Sequence, residues 1–165
     1  MGVCDVLALP GTWAVLLFRA ATACHRSSLL LRPVSRLLYF ANVVLFGADL
    51  APGATVGPGL VIPHPTGTGW GSDLEVGRHA IMTGMVRFGT AAAEDGARMG
   101  HPSLGDDVVL LDGAKVMGPV HVGDRAVVGA NALVLHDVPP DVIVVGQPAR
   151  VAHSRAERLA RLGSA

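Results

Sequence analysis

Leu104-Gly-Asp-Asp-Val-Val, Leu110-Leu-Asp-Gly-Ala-Lys, Val116-Met-Gly-Pro-Val-His, Val122-Gly-Asp-Arg-Ala-Val, Val128-Gly-Ala-Asn-Ala-Leu, Val134-Leu-His-Asp-Val-Pro: six hexads in a row open on an aliphatic residue. Ala or Val recurs four residues after each start, and Gly, Asp or Asn falls between. No helical or alternating period competes with the six. A fixed short period of this kind is read as a parallel β-helix, in which each hexad supplies one short strand and one turn. Three hexads make one triangular coil. The aliphatic start points inward and stacks on its equivalent one coil away, while Gly and Asn131 supply tight corners. A β-sandwich would instead alternate and turn every 8–12 residues.

The same phase extends upstream. Hexads begin at Leu50, Val56 and Ile62, and after a two-residue slip placed near Leu74-Glu75 the phase resumes at Val76. Residues 90–103 break it outright, as a loop leaving a rigid coil for a purpose would. The expected fold is therefore mainly β: a left-handed parallel β-helix of hexapeptide repeats preceded by a short N-terminal helical region. The expected divisions are 1–46 (helical), 47–152 (β-helix with the loop 90–103) and 153–165 (tail). Pro33 is expected to separate two helices, Trp13–Leu31 and Val34–Phe46. Ala156–Leu162 reads as a short amphipathic helix or frayed tail.

Composition agrees with such a coil. Hydrophobic residues make up 50% of the 165 and aromatics only 4%, with 21 Gly. A narrow interior of small aliphatics, closed to bulky aromatics, accounts for that bias. Thirteen basic residues balance thirteen acidic ones, which argues against nucleic acid as a partner, since displacing counterions from phosphates needs a basic surplus. Cys4 and Cys24 form no CxxC and read as idle thiols of a reducing compartment. The apolar run Val6–Phe18 lacks a basic n-region and is too short to span a bilayer, and Arg32 and Arg36 interrupt the next. No membrane association and a cytoplasmic location are expected.

Several landmarks, in order, resemble one family. Pro10-Gly11-Thr12-Trp13-Ala14-Val15 resembles its Pro-Gly-x-His-Ala-Leu helix start, and Gly47-Ala48-Asp49-Leu50-Ala51-Pro52 its entry into the first coil. Pro63-His64-Pro65-Thr66-Gly67 resembles Asp-His-x-Thr-Gly, Val86-Arg87-Phe88-Gly89-Thr90 resembles Val-Thr-Leu-Gly-Gly, and Gly100-His101-Pro102 resembles Arg-His-Pro. Val138-Pro139-Pro140 and Val145-Gly146-Gln147-Pro148-Ala149-Arg150 resemble its terminal Val-Pro-Pro and Gly-x-Pro-Ala-Arg. The family is that of the serine acetyltransferases, acetyl-CoA-dependent members of the hexapeptide-repeat acyltransferases.

The resemblance implies an enzyme that transfers an acetyl group from acetyl-CoA, the acyl donor, to a hydroxyl, with no metal. A general base must take the hydroxyl proton, and histidine suits that task near neutral pH. His64 matches the base, Asp49 its partner carboxylate, and His101 the second active-site histidine, which orients the acceptor or binds the developing oxyanion. Gly89, Thr90, Gly113, Ala114, Gly129 and Ala130 match residues along the CoA groove, and Arg150, like Arg125, is available to CoA phosphates. The groove of this fold lies between neighbouring solenoids, so a homotrimer is implied, with a hexamer as the alternative.

Departures from the pattern bear on the acceptor. Pro63 replaces an acidic residue that grips the amino acid, and Gly100 replaces an Arg suited to its carboxylate. A third, acidic contact of the family is expected upstream of Asp5. On the CoA side, Asp112 stands where the family has a small residue and Val127 where it has a basic one. With the acceptor handles changed, the expected acceptor is a small-molecule or carrier-bound alcohol other than free L-serine. Serine acetylation proper and a non-catalytic β-helix subunit are the alternatives. A γ-type carbonic anhydrase is disfavoured, because the spacings among His64, His79, His101, His121 and His136 do not fit its zinc ligands.

Overall fold

The structure, a computed structural model, describes residues 9–92 and 99–157. The chain opens with helix α1 (Pro10–Ser27), a 3-10 turn (Leu29–Leu31) and helix α2 (Arg32–Phe46). The break between the helices lies at extended Ser28 rather than at Pro33, which sits in the first turn of α2. A proline there costs nothing, because the first-turn N–H groups have no helical partner. Buried Ser35 and Asn42 of α2 fasten it to α1, donating to the carbonyls of Ala21 (2.8 Å) and Ala14 (3.0 Å). Gly47, at φ 62°, closes α2 in the left-handed conformation and turns the chain into the first coil.

By length and composition Leu29–Phe46, with a mean hydropathy of 1.5, could cross a membrane. It is built, however, as a turn followed by a 15-residue helix. Such a helix is about 22 Å long against a hydrocarbon core of about 30 Å. Leu37, Phe40, Val44 and Leu45 are exposed on its outer face, as is Leu30 in the turn before it.

From Asp49 the chain winds into a three-faced parallel β-helix. The first face stacks residues 49–50, 69–70, 87–89, 115–117 and 133–134, and the second stacks 55–56, 75–76, 103–104 and 121–122. The third stacks 81–82, 109–110, 127–128 and 142–145 in parallel, closed by an antiparallel strand, Arg150–Ser154. Val109 and Leu110, for example, pair with Ile81 and Met82 on one side and with Val127 and Val128 on the other. All six hexad starts, Leu104 to Val134, are buried, as are the Ala and Val residues four positions on. Corner residues take left-handed conformations in columns: Gly59, His79, Asp107, Arg125 and Asp141 on one edge, and Gly67, Met85, Gly113 and Asn131 on another. Asn131 turns its corner as expected, but six of the nine residues in these two columns are not glycine.

Two sequence expectations need correction. The interior does admit aromatics: Trp70 and Phe88 are buried in the inward row that includes Leu50 and Val116. They lie in the early coils, where α1 brings buried Phe18 edge-on to Trp70 with ring centres 5.3 Å apart. The capping helix supplies aromatic partners that a stack of coils alone would lack. The slip in the repeat also lies elsewhere. Inward residues Ile62 and Trp70 are eight apart, whereas Met82 and Phe88, or Leu110 and Val116, are six apart. The two extra residues therefore fall in the corner Pro63–Thr68, not at Leu74-Glu75.

Part of the expected loop 90–103 is a short antiparallel ladder, Ala91–Ala92 with Met99–Gly100. Residues 93–98 and most of the expected tail helix lie outside the described residues, and the final strand runs across the expected boundary at 152.

Candidate active site

The enlarged corner Pro63–Thr68 carries His64. Its backbone is pinned to the coil above, with His64 N donating to Thr83 O at 3.0 Å, while its side chain is exposed. Directly above stand Gly84, then Asp112 and Gly113, then Asn131, joined by Gly113 N to Gly84 O (3.0 Å) and Asn131 N to Asp112 O (2.8 Å). Gly113 and Gly129, both buried, and exposed Ala130 belong to this same edge. Ala114 differs, because it is fully buried and its methyl group belongs to the core.

Asp49 opens the first face next to Gly69 and Arg87 in the lateral register. Its carboxylate accepts a 2.6 Å hydrogen bond from the Tyr39 hydroxyl of α2 and faces Arg87 Nη1 at 3.5 Å. These two are its hydrogen-bond and ion-pair partners among the described residues, and His64 is not one of them. The Asp49 hydrogen bond, followed by burial and the carboxylate's charge, pushes the Tyr39 phenol up to about 12. Gly69 makes room for Arg87: a Cβ there would stand 2.3 Å from Arg87 Nη1. The sequence reading missed both Tyr39 and Arg87. Arg87 was visible only as the replacement for Thr in Val-Thr-Leu-Gly-Gly.

His101 lies on a different edge, between the first and second faces. Its Nε2 pairs with Asp73 Oδ2 at 3.1 Å, and its ring lies over Gly71. Gly89 and Thr90 approach this edge from the first face, from which the 91–100 ladder departs. The width of the first face separates His101 from His64, on the order of 15–20 Å for a strand and its turns at about 3.3 Å per residue. One solenoid thus brings together His64, Gly113, Gly129 and Ala130 on one edge, and His101, Gly89 and Thr90 on another.

Arg150 is exposed in the final strand, where its Nη1 donates to Ala149 O at 3.0 Å. Arg125 sits on the third edge, away from the Gly113–Ala130 column, and holds Asp141 at 2.6 Å. That contact holds the Asp141 carboxyl below the usual carboxylate range and pushes Arg125 up.

A family profile described as bacterial transferase hexapeptide (six repeats) matches residues 101–136. The chain is 38% identical over 147 residues to a Helicobacter pylori serine acetyltransferase, covering 88% of this chain and 82% of the relative. It is 35% identical over 154 residues to the Synechococcus elongatus serine acetyltransferase, covering 93% and 62%. The crystal structure of Neisseria gonorrhoeae serine acetyltransferase superimposes with a TM-score of 0.80 at 30% identity, over 90% of this chain and 55% of that one. The chain thus spans less than two thirds of the length of some relatives that it matches. With the three-faced coil, its helical cap and these likenesses over most of its length, the chain belongs to the serine acetyltransferase family and its fold is the left-handed β-helix.

Proposed function

We propose that this protein is an acetyl-CoA-dependent O-acetyltransferase whose acceptor is L-serine, with residues 47–152 as the catalytic solenoid of a cytoplasmic enzyme. The observation that carries the reading is the exposed His64 on the one corner widened by two residues, beside a column opened by Gly84 and Gly113. The altered handles at Pro63 and Gly100 argued for another alcohol. Relatives matching about nine tenths of the chain bear the serine acetyltransferase name, and one structural neighbour was solved with serine. Those likenesses favour serine over the acceptor expected from the sequence.

In this reading His64 accepts the proton of the serine hydroxyl as the oxygen attacks the thioester carbonyl. The carbonyl carbon–sulfur bond then breaks, and the imidazolium returns its proton to the departing thiolate. A positioned base of this kind contributes about 10²–10⁴-fold. Asp49, itself fixed by Tyr39 and Arg87, supplies the negative field beside the first coil that supports the imidazolium. His101 serves the acceptor or the oxyanion. Backbone at Gly113, Gly129 and Ala130 offers a track of small residues for the pantetheine arm, a fit supported by Gly84, Gly113 and Gly129 on that edge. A neighbour solved with CoA shares the fold at a TM-score of 0.73.

Since His64 and His101 lie on different edges, a complete site requires the His101 edge of one copy to meet the His64 edge of the next, as in a homotrimer. Thiol release from acetyl-CoA in the presence of L-serine tests the function. Release is expected in the wild type and a loss of at least a hundredfold in His64→Ala. Serine-dependent release that survives His64→Ala would overturn the assignment of the base.

A further inference from the structure

We propose that Arg87 binds the carboxylate of the acceptor, in place of the family arginine at whose position Gly100 stands. The proposal rests on the reading of L-serine as acceptor. Arg87 opens its strand on the first face, two residues after left-handed Met85, and so stands close to the edge that carries His64. Its side chain runs down one coil and lies over its register partner Gly69, where a Cβ would stand 2.3 Å from Nη1. Gly69 directly follows the His64 corner. That corner closes with Thr68 N donating to Pro65 O at 3.0 Å, so His64 and Gly69 flank one hydrogen-bonded turn. The two ends of such a turn lie within about 7 Å of each other.

The guanidinium is aimed without being used up. Nη1 faces Asp49 Oδ2 at 3.5 Å, its one side-chain contact of this kind among the described residues, and the side chain is half exposed. Asp49 has a closer partner in the Tyr39 hydroxyl at 2.6 Å. A long, exposed ion pair of this sort adds little to stability. Two positions are nonetheless shaped around it, a glycine at 69 that leaves room and an arginine at 87 where the family has Thr. Lys115, the next cation up the same column, turns the other way, with Nζ donating to Gly113 O at 3.3 Å on the track proposed for the acyl donor. Arg87 points down and off that track, toward the coil that carries His64, which is the side left to the acceptor.

The chemistry matches in kind and in reach. A planar fork of N–H donors pairs with a carboxylate through two parallel bonds. In serine the carboxylate oxygens lie about 3–4 Å from the hydroxyl oxygen. With a hydrogen bond at either end, one serine bridges an imidazole and a guanidinium roughly 9 Å apart. Groups carried at the two ends of one turn suit a bridge of that length.

The test measures thiol release from acetyl-CoA with L-serine and with L-serinamide, which keeps the amine and the hydroxyl but carries a neutral carboxamide. Wild type is compared with Arg87→Gln and with Arg87→Lys, which keeps the charge and loses the fork. The wild type should prefer serine. Loss of a charged hydrogen bond predicts that Arg87→Gln lowers this preference, read as the ratio of the two kcat/KM values, by about 10- to 100-fold. Arg87→Lys should fall between the two. Any effect that passes through Asp49, and any loss of folded protein, falls on both acceptors alike and cancels in the ratio. The KM for acetyl-CoA should not change. An unchanged ratio in Arg87→Gln, with both acceptors slowed equally, would make Arg87 only a positioning residue for Asp49 and overturn the proposal. A wild type that acetylates serine without preferring it to serinamide would overturn it as well. If the wild type acetylates no serine, the acceptor reading itself fails, and that control shows it independently of the variants.

Discussion

The Tyr39 hydroxyl, carried on the second helix, is 2.6 Å from Asp49 Oδ1, on the first strand of the solenoid. This contact ties the cap to the carboxylate proposed to support the base. It also holds the phenol in its protonated form, with a pKa raised from 10.0 to about 12. Tyr39 is the one tyrosine in the sequence, so ultraviolet difference titration reads it without ambiguity. The native protein should titrate near 12, and Asp49→Asn should bring the transition back toward 10. The sign for stability follows from the raised folded value. The contribution of this bond is whole below pH 10, erodes as pH rises from 10 to 12, and is gone above that. A Tyr39→Phe protein should therefore show a flatter fall in stability over that window than the wild type.

Gly11 touches the other side of the site. A Cβ there would lie 1.5 Å from the backbone oxygen of Ile62 and 3.3 Å from that of Pro63, immediately before His64. In an ordinary helix Gly→Ala stabilises by about 0.5–1 kcal/mol. Here Gly11→Ala must push the helix off the corner, so a loss of about 1–3 kcal/mol is expected instead. Because the displaced backbone leads directly into His64, activity should fall more than the loss of folded protein explains. Urea denaturation and kinetics on the same preparation check both parts.

Phe18 is the side chain through which the first helix enters the solenoid, buried and edge-on to Trp70. Trp70 in turn meets Phe88 with ring centres 6.5 Å apart. Phe18→Ala should cost about 3–5 kcal/mol. The loss should be local at first, since coils stack on nearest neighbours. Hydrogen exchange should rise in the two helices and the first coil well before it rises around Val116–Val134. Uniform exchange through all coils would contradict the role of the helices as a cap.

The contrast between what was legible and what was not has a physical basis. The hexads from Leu104 to Val134 could be read because one geometry, an inward aliphatic and a tight corner, repeats without interruption and imposes its period on the sequence. Where something else packs against the coil, that legibility ends. Trp70 packs in the interior against Phe18, which α1 delivers, a contact no repeat encodes. The widened corner at Pro63–Thr68 was misplaced to Leu74-Glu75 because turn-rich residues disguise where two positions were added. His64, Asp49 and His101 are candidates that local motifs suggest. The partners Tyr39, Arg87 and Asp73 come from other elements or other coils, and no spacing in the sequence announces them.

The separation of His64 from His101 gives the most decisive test of how the site is assembled. Each lies on its own edge of the solenoid, and the first face stands between them. If both serve one reaction, a working site takes His64 from one copy and His101 from its neighbour. His64→Ala and His101→Ala should each be inactive or severely impaired as pure assemblies. Refolded together, they should regain activity, because a mixed trimer contains junctions in which both contributing edges are wild type. The regained fraction should vary with mixing ratio and peak near equal amounts. A double variant, His64→Ala with His101→Ala, mixed with wild type gives the complementary case, in which mixed assemblies lose sites in proportion to the variant edges present. If the two single variants never complement each other after co-refolding, although both form the same assemblies as the wild type, then the two histidines do not meet across a subunit boundary. His101 would then be left to its pairing with Asp73 as a structural corner contact.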